Sequence, residues 1–157
     1  MSEPILSVCR SRIRRVILTL DSFPLWPLQT IARIAVGGVF YKSAINKLES
    51  WDITLLLFRD EYRVPVLPYD LAALLATGVE FFGAVLLIAG LFARLATLPL
   101  FGVIAVIQTF VYPDAWVEHL TWTTLLLLIL FRGPGLLSFD YLLGRASGRV
   151  LARLERK

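Results

Sequence analysis

Four stretches of this chain are almost unbroken runs of apolar side chains, and they dictate what it can fold into. The clearest runs from about Tyr69 to Phe92, and the next from Leu95 to Tyr112 with only Arg94 between them. A fourth covers about Trp116 to Phe131, and the first covers about Leu28 to Ile45, interrupted by Arg33 and Lys42. A helix needs about 20 apolar residues to cross the ~30 Å hydrocarbon core of a bilayer. A soluble helix of such length would instead carry a charged face. With 57% hydrophobic and 18% charged residues, the expected class is an all-α membrane protein built as a four-transmembrane-helix bundle.

The connections fit that reading. Residues 46–68 make the longest one, and its apolar piece, Ile53 to Phe58, is too short to span. Trp51 before it and Arg59–Asp60 after it suit a short interfacial or re-entrant helix between spans 1 and 2. Pro65 and Pro68 enforce extended backbone before the second span. Pro113–Asp114 ends the third span, and Arg132-Gly133-Pro134-Gly135 ends the fourth. The division expected is a basic tail over 1–24, a four-helix domain over 25–142 and a basic amphipathic tail over 143–157.

The net charge of +4 would suit nucleic acid if it formed one patch. It flanks the apolar runs instead: Arg10, Arg12, Arg14 and Arg15 precede them, and Arg145, Arg149, Arg153, Arg156 and Lys157 follow. The positive-inside rule then assigns both termini and the Arg94 turn to the cytoplasm, in a multi-pass protein with no nucleic-acid role. Val16 to Leu20 is too short and too soon interrupted to be the core of a signal peptide. A single cysteine, Cys9, leaves no CxxC dithiol and no cysteine metal site, so redox chemistry requires a bound cofactor or a partner.

Glu80 is the most informative residue. A carboxylate at the centre of a span costs on the order of 2.5–3.5 kcal/mol on insertion scales and faces the interior. Its helical neighbours Ala73, Ala76, Thr77, Gly83 and Ala84 are small, which lets another helix approach closely. Two readings follow for it: a proton relay or cofactor contact, or a structural role as an ion pair with Arg33 or a hydrogen bond to a neighbouring span. Arg33 alternatively snorkels to the headgroups on its long stem, and Lys42 is read as snorkelling. A second polar group gathers toward the opposite side: Asn46, Lys47, Gln108, Glu118 and His119. His119 is the only histidine, so no multi-histidine metal site exists within one chain; it is either a proton carrier or a polar residue at the surface. Trp116, Trp122, Tyr112 and Tyr69 read as an interfacial aromatic belt.

Three segments resemble one family. Arg33-Ile-Ala-Val-Gly37-Gly38-Val-Phe40, with Asn46-Lys47-Leu48, resembles the first helix of the DoxX family. Glu80-Phe-Phe-Gly83-Ala84 and Gly90-Leu-Phe-Ala-Arg94-Leu-Ala96 are similar to its second motif, and Arg132-Gly-Pro-Gly135-Leu-Leu-Ser138-Phe-Asp140 to its ending. The resemblance implies a four-helix bacterial inner-membrane protein. It also implies a link to quinone-dependent oxidoreductases, thiosulfate:quinone oxidoreductase among them, or to thiol-homeostasis partners. The cysteines that serve dithiol chemistry in some relatives are missing from the spans here. Three functions follow as alternatives: a quinone-contacting or accessory subunit of a membrane oxidoreductase system, a non-catalytic anchor or assembly factor for a soluble partner, and a small-solute or proton carrier. The partners expected are the lipid bilayer, a redox partner protein and further copies of the chain.

Overall fold

The computed structural model describes residues 3–65 and 67–154, with side chains over 12–65 and 67–146. Cys9 and Arg10, and Arg149, Arg153, Arg156 and Lys157 of the C-terminal tail, therefore fall outside the described side chains. Among the described residues the chain is helical throughout, with no strand. The helices are α1 (Glu3–Asp21), α2 (Trp26–Glu49), α3 (Trp51–Leu56), α4 (Tyr69–Ala89), α5 (Ala93–Val106), α6 (Trp116–Arg132) and α7 (Phe139–Leu154). Two π-helical turns extend them, Leu57–Tyr62 after α3 and Ile107–Val111 after α5.

Local chemistry accounts for the boundaries. Pro27 occupies the first turn of α2, where its missing N–H costs nothing. Helix α4 stops at Gly90, whose φ of 68° is the left-handed cap that glycine adopts without strain. Gly133, with φ 86° and ψ 179°, closes α6 in a different conformation that is open mainly to glycine. The short helix expected between the first two apolar runs is present as α3, although it runs on into a π turn.

Helices α2, α4, α5 and α6 pack in cyclic order: α2 on α4 and α6, α4 on α5, and α5 on α6. The core between them is Val36 and Phe40 of α2, Ala84 and Leu87 of α4, Leu100 and Ile104 of α5, and Leu126 and Ile129 of α6. Small residues set the close approaches. Gly83 faces Leu100 so tightly that a Cβ there would lie 3.0 Å from its side chain, and a Cβ at Gly37 would lie 2.8 Å from Ile88.

The outward surface is apolar. Ile31, Ile34, Leu74, Phe82, Leu95, Leu98, Val117, Leu120 and Phe131 are all exposed. Two helical stretches, Tyr69–Ala89 and Ala93–Val111, are long and apolar enough to cross a bilayer, and only 39% and 22% of their apolar windows are buried within the protein. A soluble core helix would be mostly covered; these present their large side chains outward, where lipid offers the missing contact.

Candidate functional site

Glu80 is 1% exposed and forms its ion pair with Lys47, Nζ to Oε2 2.6 Å, not with Arg33. The reason is directional. Helices α2 and α4 are antiparallel, with Tyr41 stacked beside Phe81 and Arg33 level with Leu87 and Ile88. Arg33 thus lies about eight residues, or ~12 Å, along α4 from Glu80. Side chains on a helix lean toward its N-terminus. Lys47, near the end of α2, leans back into the protein, and Glu80 leans toward it, while Arg33 leans away. Lys47 also donates to Ser43 Oγ at 2.7 Å, so its ammonium is held from two sides.

Arg33 neither pairs with Glu80 nor snorkels. It is buried, and Nη1 donates to the carbonyls of Leu87 (3.0 Å) and Ile88 (2.8 Å) while Nη2 donates to that of Leu137. The Leu87 carbonyl also takes the Gly90 N–H at 3.0 Å, whereas last-turn carbonyls in general lack an intrahelical donor, and a cation there also opposes the negative end of the dipole. Across the same junction, Asp140 accepts from the backbone N–H of Phe92 (2.7 Å) and Ala93 (3.0 Å), which caps α5 from a distant part of the chain. Parts of all three sequence motifs, Arg33, Gly90 to Ala93 and Ser138 to Asp140, therefore meet at one end of the molecule. Gly90 sits at their centre: a Cβ on it would fall 2.3 Å from Arg33 Nη1 and 2.6 Å from Ser138 Cβ.

The other end holds a cavity of ≈410 Å³ enclosed by α2, α4, α5, α6 and the two π turns. Its wall is mainly apolar, from Val39, Phe40, Phe58, Leu75, Val79, Val103, Val106 and Trp122 among others. Its polar groups are few: Ser43, Lys47, Tyr62, Glu80, Tyr112 and His119. Pro99 and Gly102 leave α5 thin on this side, and a Cβ at Gly102 would meet nothing within 4 Å.

His119 is buried, unlike a residue at the membrane surface. Gln108 Nε2 donates to the Pro113 carbonyl (2.7 Å), which orients the amide so that its Oε1 faces His119 Nδ1 at 2.6 Å. A neutral imidazole then carries its proton on Nδ1 and presents Nε2 as an acceptor. Nε2 has no hydrogen-bond partner among the described residues, and neither does Glu80 Oε1. Tyr62, the last residue of the first π turn, and Tyr112, which follows the second, share a hydrogen bond (3.2 Å), and burial raises the Tyr62 phenol above its ordinary value. Local π-helical geometry recurs at functional sites.

Of the residues singled out from sequence, Lys47, Glu80 and His119 line this cavity and Gln108 supports it from behind. Asn46 and Glu118 are exposed outside it, and Arg33 belongs to the opposite end. Trp122 is not part of a surface belt but packs edge-on against Phe40 and His119. Sequence reasoning passed over Ser43 and Tyr62, and it named Asp140 only as the end of the closing motif. Ser43 carries one signal, its position a single turn before Lys47 on the same face; Tyr62 lies in a segment whose fold only packing reveals.

Outward-facing apolar helices around a core holding one buried ion pair define an α-helical membrane protein. The DoxX family model matches residues 28–113, more than half of the chain, and the protein belongs to the DoxX family. No curated protein and no solved structure gives a significant match.

Proposed function

We propose that this protein is a four-span DoxX protein of the bacterial inner membrane, with both termini in the cytoplasm, that holds the head of a quinone in the Lys47–Glu80–His119 cavity. In that role it serves as a quinone-contacting subunit of a membrane oxidoreductase system. The observation that carries the reading is the cavity itself: an apolar chamber, open to a lipophilic ligand, into which one buried ion pair and one oriented imidazole converge. Ligand sites are typically chambers of this kind, ~300–1,000 Å³ with a few placed polar groups.

A quinone supplies two-electron, two-proton chemistry when bound. The residues of the wall match its head by type. The Lys47 ammonium is a donor for a carbonyl oxygen, and His119 Nε2 and Glu80 Oε1 are acceptors for a hydroxyl. Phe40, Phe58 and Trp122 offer aromatic faces for the ring. The buried carboxylate and imidazole are also proton carriers at membrane depth, where such groups are seldom kept without use. Electrons come from a partner protein in this reading, and the exposed amphipathic stretch Ile13 to Leu20 of α1 rests on the membrane surface.

The test uses Trp122 as a built-in reporter. Titration of the detergent-solubilised protein with a short-tailed quinone should quench tryptophan emission saturably, and W122F should lose most of that component. Gly102→Phe, which fills the chamber from a position with open space beside it, should abolish saturable quenching. Linear, non-saturating quenching that is the same in wild type and both variants would refute the reading.

A further inference from the structure

We infer that the opposite end of the molecule, where parts of the three motifs meet, binds the phosphodiester headgroup of an anionic glycerophospholipid. An open cleft of ≈610 Å³ lies there, between the start of α2, the α4–α5 turn and the segment joining α6 to α7. Its polar wall is unbalanced. Most of its acceptors are engaged, Gln29 Oε1 excepted: Asp140 holds the Phe92 and Ala93 N–H groups, the Arg132 carbonyl takes the Gln29 amide at 2.7 Å, and the Gly135 carbonyl takes the Ser138 hydroxyl at 2.6 Å. The donors are not. The guanidinium groups of Arg94 and Arg132, the Trp26 indole N–H and the Tyr141 hydroxyl all belong to lining residues and have no partner among the described residues.

The one carboxylate, Asp140, already faces the buried Arg33, so the guanidiniums of Arg94 and Arg132 leave the cleft positive, the complement of a phosphodiester anion. Gly133 allows the approach of Arg94, since a Cβ there would lie 3.2 Å from Nη2. The rim decides in favour of a lipid over a soluble phosphate. Phe92, Leu95, Phe131, Leu136 and Leu137 are exposed around it, so a ligand with its phosphate in the cleft lays its acyl chains on an apolar surface. Basic pockets between membrane helices at the headgroup level bind anionic lipids by this combination. The site is independent of the quinone chamber, which lies at the other end.

Native mass spectrometry of the full chain, from micelles doped with equal phosphatidylglycerol and phosphatidylcholine, tests the assignment. Wild type should retain phosphatidylglycerol selectively. Arg94→Gln with Arg132→Gln should weaken that retention roughly thirtyfold, from two lost contacts at the headgroup level. The lysine pair, R94K with R132K, should recover most of it. Three results would overturn the inference: no preference in wild type, an equal loss when Arg14 and Arg15 on α1 are neutralised instead, or displacement of the lipid by an equal concentration of soluble glycerol phosphate. The first and last need no variant, so a folding defect in the arginine pair leaves the test intact.

Discussion

Removing one partner of the Lys47–Glu80 pair should cost far more than removing both. The two side chains are 19% and 1% exposed and 2.6 Å apart, so neither deletion is repaired by water. Breaking a buried pair by taking one partner costs about 3–5 kcal/mol, whereas replacing both with apolar groups of similar size is often neutral. Ser43 remains as a neutral partner for Lys47, which places Glu80→Gln toward the lower end, about 3 kcal/mol. Lys47→Met leaves Glu80 with no other hydrogen-bond donor among the described residues and should cost about 4 kcal/mol. The double variant E80Q/K47M should fall within about 1.5 kcal/mol of wild type, a coupling energy of at least about 5.5 kcal/mol. Reversible unfolding in bicelles measures each corner of the cycle. A coupling under about 1 kcal/mol, the value of an exposed pair, would refute the claim that this pair is held in the interior. If the double variant is stable and still quenched saturably by quinone, the pair serves packing and not the ligand.

Gly90→Ala should destabilise by about 4 kcal/mol in the same assay, combining a left-handed φ with displacement of Arg33 and Ser138, while Gly38→Ala, where a Cβ meets nothing, should be neutral or stabilising by up to about 1 kcal/mol. Asp140→Asn should cost about 1–2 kcal/mol, since it weakens the charged cap on Phe92 and Ala93; hydrogen exchange at those two amides should accelerate first. The Tyr62 phenol is held above the ordinary 10.0 by burial and by Tyr112, so the folded form binds its proton more tightly than the unfolded chain does. Its share of stability is therefore full below pH 10.0 and declines as pH rises further, and Tyr62→Phe should flatten that decline in alkaline unfolding curves.

Sequence alone determined that the chain is helical and bound to a membrane, because the signals involved are local. A run such as Tyr69 to Ala89 is apolar whatever surrounds it, and Gly90, Pro113 and Gly133 end helices through their own backbone preferences. The burial of Glu80 was equally legible, from the small residues on its face. The identity of its partner was not. Arg33 and Lys47 share a face of α2, and both are cations within one helix of Glu80. The choice between them depends on the antiparallel register of α2 and α4 and on the tilt of side chains toward each helix N-terminus. The meeting of Arg33, Gly90 and Asp140, and the enclosure of His119 beside Trp122, depend in the same way on contacts between residues far apart in the chain. Local preference places a residue on a helix; only packing between helices decides what that residue faces.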